Sequence, residues 1–171
     1  MEDLRYPIGK FVFDEKSDRA ALLESIEETP VRLRQAVAGL SEEQLETAYR
    51  PEGWTVRQVV HHLPDSHLNA YTRFKLALTE DEPGIRGYDE DKWSHLHDAT
   101  TGPIDVSLNL LEALHQRWML ILRSLSATDF ERGYRHSEMG LVPLKKALAL
   151  YAWHGQHHVA HVTALRKRMN W

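Results

Sequence analysis

The stretch LKKALALYAWHGQHHVAHVTALRKRM, residues 144–169, has the pattern of one long amphipathic helix that needs packing partners. When each residue advances about 100° around a helix axis, the side chains of Ala147, Tyr151, Val162 and Leu165 fall on one stripe. Such a stripe packs against other helices, whereas the basic run near the end suits the C-terminal end of a helix dipole. The segment therefore predicts a helical bundle.

Four of the 11 histidines of the chain lie in this helix. His154 and His158 are four residues and about 40° apart, on or beside the apolar stripe, so both are expected to face the core. His157 and His161 fall outside the stripe and are expected at the rim, on the surface or supporting the other two. Two inward imidazoles at this spacing can bind one metal ion. They can equally form a hydrogen-bonded core, and spacing alone leaves both interpretations open.

Three further helices are predicted upstream, because apolar periodicity also runs through residues 17–40, 55–79 and 105–125. Residues 80–103 hold no sustained period, which predicts a long connection, and a short hairpin is expected near residues 130–143. The fold class is therefore all-α, a four-helix bundle.

Local signals refine the ends and interiors of these helices. Ser41 and Thr55 are each followed three residues later by glutamine, the pattern of a capping box at a helix N-terminus. Pro30 and Pro64 lie inside the predicted first and second helices, where a missing N–H is expected to kink or break the helix.

Composition limits the class of protein. The chain has 171 residues, 42% of them apolar, a net charge of −4 and no cysteine. We expect one domain, residues 1–171, with no disulfides, in the cytoplasm. The first residues, MEDLRYPIGK, lack the apolar core of a signal peptide, and no apolar run is long enough to span a membrane. The acidic balance argues against nucleic acid as a partner.

A third metal ligand would have to come from another helix, and VVHHLPDSH at residues 59–67 offers candidates. Periodicity places His67 near the apolar centre and His62 well away from it, although Pro64 makes the local phase uncertain. His62 also begins a polar ridge with spacings of four, three and four residues, which either faces solvent or lines a pocket suited to an anionic substrate. The ridge continues through Ser66, Asn69 and Arg73.

Several motifs together resemble the DinB superfamily, in its branch of metal-dependent hydrolases and bacillithiol S-transferases. They are YPIG at residues 6–9, GWTVRQVVHHLPDSHLNAYTRFKLALTE at 53–80, YDE at 88–90 followed by Trp93, and YAWHGQHHVAH at 151–161. The resemblance covers nearly the whole chain. It implies a four-helix bundle that forms a homodimer.

The resemblance also implies a metal site built from three histidines, His62, His154 and His158. It agrees with the helical periodicity on the last two and favours His62 over His67. The other polar candidates are then expected to line the pocket or to contact the ligands; they are His67, Asn69, Arg73, His157 and His161.

Three histidines on one divalent ion would leave a coordination position open, as in catalytic zinc sites. One metal ion per chain is expected. Zinc is the preferred assignment, with nickel, iron and manganese as alternatives. A small-molecule substrate would then be hydrolysed by activated water. The alternatives are an S-transferase that activates a small thiol such as bacillithiol, and a non-catalytic metal-binding bundle closed by a fourth ligand such as His67.

No general base is evident in the sequence near these histidines. The connection at residues 80–103 is the remaining source, and it could bring acids or imidazoles over the pocket. Its candidates are Asp89, His95, His97 and Asp98.

Overall fold

A computed structural model describes residues 4–171 and confirms the predicted four-helix bundle. The bundle consists of helices α1 (Arg19–Val37), α3 (Val56–Thr79), α6 (Ile104–Ser124) and α7 (Leu144–Met169). Helix α7 has the bounds that its periodicity predicts. Residues 1–3 of the predicted domain, and with them the start of the N-terminal segment, lie outside the described residues.

Both capping boxes form. The Ser41 hydroxyl accepts from the Gln44 N–H and the Gln44 side chain accepts from the Ser41 N–H, which starts the short helix α2 (Glu42–Leu45). Thr55 and Gln58 make the same pair of bonds at the start of α3. Each box satisfies two backbone donors that helix geometry leaves unpaired, so these sequence signals set the helix starts.

The two prolines do not break their helices, contrary to one of the two outcomes expected for them. Pro30 lies inside α1 and Pro64 inside α3, both buried. A proline at these positions removes one backbone donor, so the carbonyl four residues earlier has no helical partner. For Pro30 that carbonyl is Ile26 O, which accepts a hydrogen bond from His115 Nδ1 at 2.7 Å instead.

The connection between α3 and α6 is more ordered than its lack of periodicity suggests. It contains the two-residue strand β1 (Gly84–Ile85) and the short helices α4 (Glu90–Ser94) and α5 (His97–Thr101). The expected hairpin forms from β2 (Gly133–His136) and β3 (Gly140–Pro143), preceded by a 3-10 turn at Asp129–Glu131. Strand β1 pairs with β2 in parallel and extends the hairpin to three strands, a pairing that sequence analysis did not predict.

Two apolar clusters fill the bundle. One surrounds Phe74, Trp118 and Leu148, and the other surrounds Leu33, Val59 and Leu111. Buried histidines lie on α3, α6 and α7, among them His67, His115 and His158. No helix within residues 4–171 is long and apolar enough to cross a membrane.

Candidate metal site

The structure brings together the three histidines that the resemblance singles out. His62 from α3 and His154 and His158 from α7 each place a ring nitrogen within 4.8 Å of the other two. The Nε2 atoms of His62 and His154 are 3.2 Å apart. His62 and His158 are buried, and His154 is partly exposed. The spacing of four residues on α7 therefore aims two imidazoles at one point, and α3 supplies the third.

All three imidazoles are neutral at physiological pH. Burial, reinforced by the neighbouring imidazoles, lowers the pKa of His62 to about 3. The same two causes hold the pKa of His154 and of His158 well below the ordinary value of 6.5. A neutral imidazole keeps one nitrogen lone pair, and that lone pair is what a metal ion needs.

A chain of hydrogen bonds runs from His154 into the protein interior. His154 Nδ1 lies 3.1 Å from His67 Nε2, and His67 Nδ1 lies 2.7 Å from His115 Nε2. His115 Nδ1 lies 2.7 Å from the Ile26 carbonyl oxygen, where the chain ends. Burial holds the pKa of His67 well below 6.5 and lowers that of His115 to about 4, so these rings are neutral too.

The carbonyl at the end of this chain fixes the tautomer of every ring in it. A carbonyl only accepts, so His115 Nδ1 carries the proton and His115 Nε2 accepts. His67 Nδ1 must then donate and His67 Nε2 accept, which makes His154 Nδ1 a donor. The proton of neutral His154 therefore lies on Nδ1, and its Nε2 presents a bare lone pair toward His62.

A second chain does the same for His158. His161 Nε2 lies 3.0 Å from the Arg5 carbonyl oxygen, so this nitrogen donates. His161 Nδ1 must accept, and it lies 3.3 Å from His158 Nδ1, which donates in turn. The lone pair of His158 is thereby left on Nε2. Two separate backbone carbonyls thus set the tautomers of two of the three candidate ligands.

These residues fit a divalent metal ion. Three neutral imidazoles converge, two of them with Nδ1–H held by hydrogen bonds, which is how proteins orient metal-binding histidines. An all-imidazole set suits zinc, nickel, copper and iron, and does not select among them. Its role as a ligand set stays a prediction that metal binding has to test.

The site forms the wall of an open cavity of about 560 Å³. Trp54 lies against it, with its ring centroid 4.7 Å from that of His62 and nearly parallel to His158 at 6.2 Å. Trp54 Nε1 donates to Asp91 Oδ1 of α4 at 3.0 Å, which ties this indole to the connection after α3. A small molecule can therefore reach the three histidines from one side, while an aromatic ring covers another.

The supporting residues of α3 occupy three different positions relative to the site. His67 lies behind His154 and is fully buried, so it does not complete the ligand set. Arg73 lines the cavity. Asn69 does not, because its side-chain amide donates to the Asp65 carbonyl of its own helix.

His157 and His161 do not lie on the surface, which was one of the two positions expected for them; His161 contacts His158, which agrees with the other. Both line the cavity, yet only 7% of His157 and 2% of His161 is exposed. Tyr6 of the N-terminal segment packs against the His157 ring, the Arg5 carbonyl accepts from His161, and Tyr49 stacks on His161. Ring nitrogens of His157, His158 and His161 also lie within 4.8 Å of one another, but two of these rings are joined by the tautomer-fixing bond.

The acids and imidazoles expected over the pocket from the connection do not line it. Asp89 caps α4 by accepting from the Lys92 N–H, and His95 binds the Asp91 carbonyl. His97 and Asp98 are exposed on α5. The connection contributes Tyr88, Glu90 and Asp91 to the cavity instead.

Sequence reasoning missed His115 and Trp54. A signal for His115 was present: it lies in α6 between Leu111 and Trp118, with Leu122 beyond, at spacings of four, three and four residues. A histidine on that apolar face had to be buried and had to find partners. Trp54 precedes α3, outside any helical period, so only the folded chain places it over the site.

Comparisons with known proteins agree with this architecture. The DinB superfamily model matches residues 25–162. A protein of Bacillus cereus, provisionally named a metal-dependent hydrolase, is 51% identical over the whole of both chains. A protein of Oceanobacillus iheyensis with the same provisional name is 51% identical over 98% of each chain.

A solved structure matches as well. YfiT from Bacillus subtilis, described as a probable metal-dependent hydrolase with an unusual four-helix bundle topology, superposes with a TM-score of 0.95. The two chains are 48% identical, and the match covers 99% of each. The family match spans most of the chain, and the relatives align along nearly all of it. The chain belongs to the DinB superfamily.

Proposed function

We propose that this protein is a metal-dependent hydrolase of small molecules that binds one divalent ion, zinc first, through His62, His154 and His158. The observation that carries the proposal is the convergence of three neutral imidazoles on the wall of an open cavity, with the tautomers of two of them fixed by hydrogen bonds. The provisional names of the relatives point to the same class.

Different residues around the cavity would have different roles in this reaction. A bound divalent ion would supply a Lewis acid that lowers the pKa of water toward 7 and polarises the substrate. His154 and His158 keep their Nε2 lone pairs directed outward, because their Nδ1 protons are held from behind. Trp54 excludes water from one side of the site. Tyr88, whose pKa is raised by burial, keeps its proton and can donate a hydrogen bond to substrate.

Metal content tests the first half of the proposal. We expect about one equivalent of metal in the wild type by inductively coupled plasma mass spectrometry of untagged protein. His154→Ala should lose it, whereas the control His97→Ala, which removes an exposed histidine that does not line the cavity, should keep it. Equal metal content in all three proteins, or none in the wild type after dialysis against zinc and nickel, would refute the site.

A panel of ester and amide substrates tests the second half. Hydrolysis should require the metal ion, be lost in His154→Ala and be unchanged in His97→Ala. The hydrolase proposal would be refuted if the metal-loaded wild type hydrolysed no member of the panel but catalysed thiol S-transfer.

That second candidate is thiol S-transfer, and one observation favours it. Within residues 4–171, no carboxylate hydrogen-bonds to the three histidines, and the four carboxylates that line the cavity are exposed. Hydrolysis gains from a positioned general base, whereas a thiol bound to a metal ion is deprotonated by the ion itself. The four carboxylates are Glu52, Glu90, Asp91 and Glu138.

The chain makes this candidate simple to test, because it has no cysteine of its own. Loss of thiol from a mixture of bacillithiol and chlorodinitrobenzene therefore reports only on the substrate. Metal-dependent loss above the spontaneous rate supports S-transfer, and a rate equal to that of His154→Ala rules it out. We propose further that the protein acts as a homodimer, which light scattering after gel filtration tests.

A non-catalytic bundle with a closed site is less well supported. Its expected fourth ligand, His67, uses both ring nitrogens in the chain between His154 and His115. It is therefore not free to close the coordination sphere.

A further inference from the structure

Arg73 is a buried cation on α3 without a compensating acid. Only 7% of it is exposed, and within residues 4–171 no carboxylate lies within ion-pair distance of its guanidinium. Its Nε has no hydrogen-bond partner, and one terminal nitrogen donates to the Tyr151 hydroxyl at 3.0 Å. Arginine is almost never buried unless it is paired, so this position calls for an anion from outside the chain.

The buried groups around Arg73 are polar but uncharged, whereas the acids that line the same cavity, Glu138 among them, are exposed. Tyr151 and Tyr134 are buried and their pKa values are raised by burial, so both hydroxyls stay protonated. The buried His136 lines the same cavity, and burial together with the Arg73 charge lowers its pKa, so this ring is neutral as well. The groups that face the guanidinium can therefore stabilise an anion but do not supply one.

Arg73 also lies in line with the candidate metal site. It follows His62 by eleven residues, which places both on one face of α3 within about 20° and roughly 16 Å apart along the axis. Arginine side chains on a helix lean toward its N-terminus, which here is the direction of His62. Tyr151, which accepts from Arg73, has its ring centroid 6.1 Å from that of His154.

The cavity joins these two points. Arg73, Ser66 and His62 all line it, and so does Tyr88. A ligand lying in the cavity would thus meet the three histidines at one end and a guanidinium at the other, with hydroxyl groups between them. This arrangement selects for a molecule with a charged end and a reactive group at a distance from it.

We propose that Arg73 binds a carboxylate or phosphate group of the substrate, so that the natural substrates are anionic small molecules. The assignment rests on the proposed function only in placing the reacting end at His62, His154 and His158. A guanidinium suits both oxyanions, because its N–H groups match the spacing of their oxygens. Binding of the anion would also neutralise the buried charge that the fold leaves uncompensated.

The test uses metal-free protein, so that it does not depend on the metal site. We expect saturable binding when the protein is titrated with sodium succinate and with sodium phosphate. Calorimetry and the ¹⁵N-detected side-chain signals of arginine measure this binding. Neutral succinamide should not bind. Arg73→Gln should weaken anion binding by about tenfold to a hundredfold, the loss expected for a hydrogen bond to a charged group. Arg73→Lys should retain part of it, and the exposed control Arg117→Gln should bind as the wild type does.

The two anions separate the two chemistries, since preference for succinate assigns a carboxylate and preference for phosphate assigns a phosphate. Equal affinity of wild type and Arg73→Gln, or no saturable binding by the wild type, would overturn the proposal. Circular dichroism of Arg73→Gln shows whether its loss of binding is a loss of fold, and the partial binding by Arg73→Lys gives a second check. Anion binding with no metal uptake would refute the metal site alone, and metal uptake with no anion binding would refute this inference alone.

Discussion

Replacing His115 by leucine should weaken zinc binding about tenfold to a hundredfold, although His115 does not belong to the predicted ligand set. The substitution removes the acceptor for His67 Nδ1 and the donor to the Ile26 carbonyl. The ring proton of His67 then finds an acceptor only if it moves to Nε2, where it would be donated to His154 Nδ1. That exchange places the proton of His154 on Nε2, the nitrogen that faces His62.

The size of this effect follows from the groups left without partners. Hydrogen-bond partners behind metal-binding histidines contribute about 10–100-fold to metal affinity. The buried Ile26 carbonyl also loses its partner, at a cost of about 1–3 kcal/mol in the free energy of unfolding. His115 is only 2% exposed, so water does not readily replace the lost bonds. Both affinity and stability should therefore fall together.

Two measurements check this reasoning. Competition with a chromophoric chelator gives the zinc dissociation constant of the wild type and His115→Leu. Long-range ¹H–¹⁵N spectra of the metal-free proteins give the tautomer of each histidine, and the wild type should show His154 and His67 protonated at Nδ1. The exposed neighbour Gln116→Leu is the matched control. If His115→Leu is folded and binds zinc within threefold of the wild type, the chain does not position His154, and the argument from tautomers fails.

Three further predictions concern stability. A Cβ on Gly155 would lie 2.5 Å from Thr29 Oγ1, so Gly155→Ala should cost about 1–3 kcal/mol in urea unfolding, and adding Thr29→Ala should recover part of it. Burial raises the pKa of Asp65 to about 6 from 3.8, so the folded state binds more protons than the unfolded state between these pH values. The free energy of unfolding therefore falls as the pH rises through this range. Asp65→Asn should raise the melting temperature at pH 7 but not at pH 3. Arg57→Met should lower the melting temperature, because it removes the hydrogen bonds that the buried guanidinium donates to Glu42, Glu46 and the Gly102 carbonyl; unchanged melting would contradict this.

Helical periodicity was enough to predict the bundle, because each long helix buries one face and the pattern of that face repeats along it. It also selected His154 and His158, which lie on one face of α7. It did not select His62, since the apolar stripe of α3 pointed to His67. Both residues turn out to be buried, because α3 is covered on several sides where it passes the site.

The burial of His157 and His161 could not be predicted from the period of α7. The segment before α1, which has no period of its own, contacts both rings, and Tyr49 stacks on His161; these contacts form only in the folded chain. The parallel pairing of β1 with β2 could not be predicted for the same reason, since the paired residues are some fifty positions apart in the sequence. Local patterns carry no information on such contacts.

Pro30 in α1 affects the candidate metal site through a chain of hydrogen bonds. Proline is unfavourable inside α1, because it cannot donate to the carbonyl four residues earlier. In the folded chain that carbonyl is Ile26 O, and its missing helical donor is replaced by His115 from α6. The bond fixes the proton of His115, and through His67 it fixes the proton of His154. A residue that weakens one helix therefore provides the fixed acceptor from which a candidate metal ligand on another helix takes its orientation.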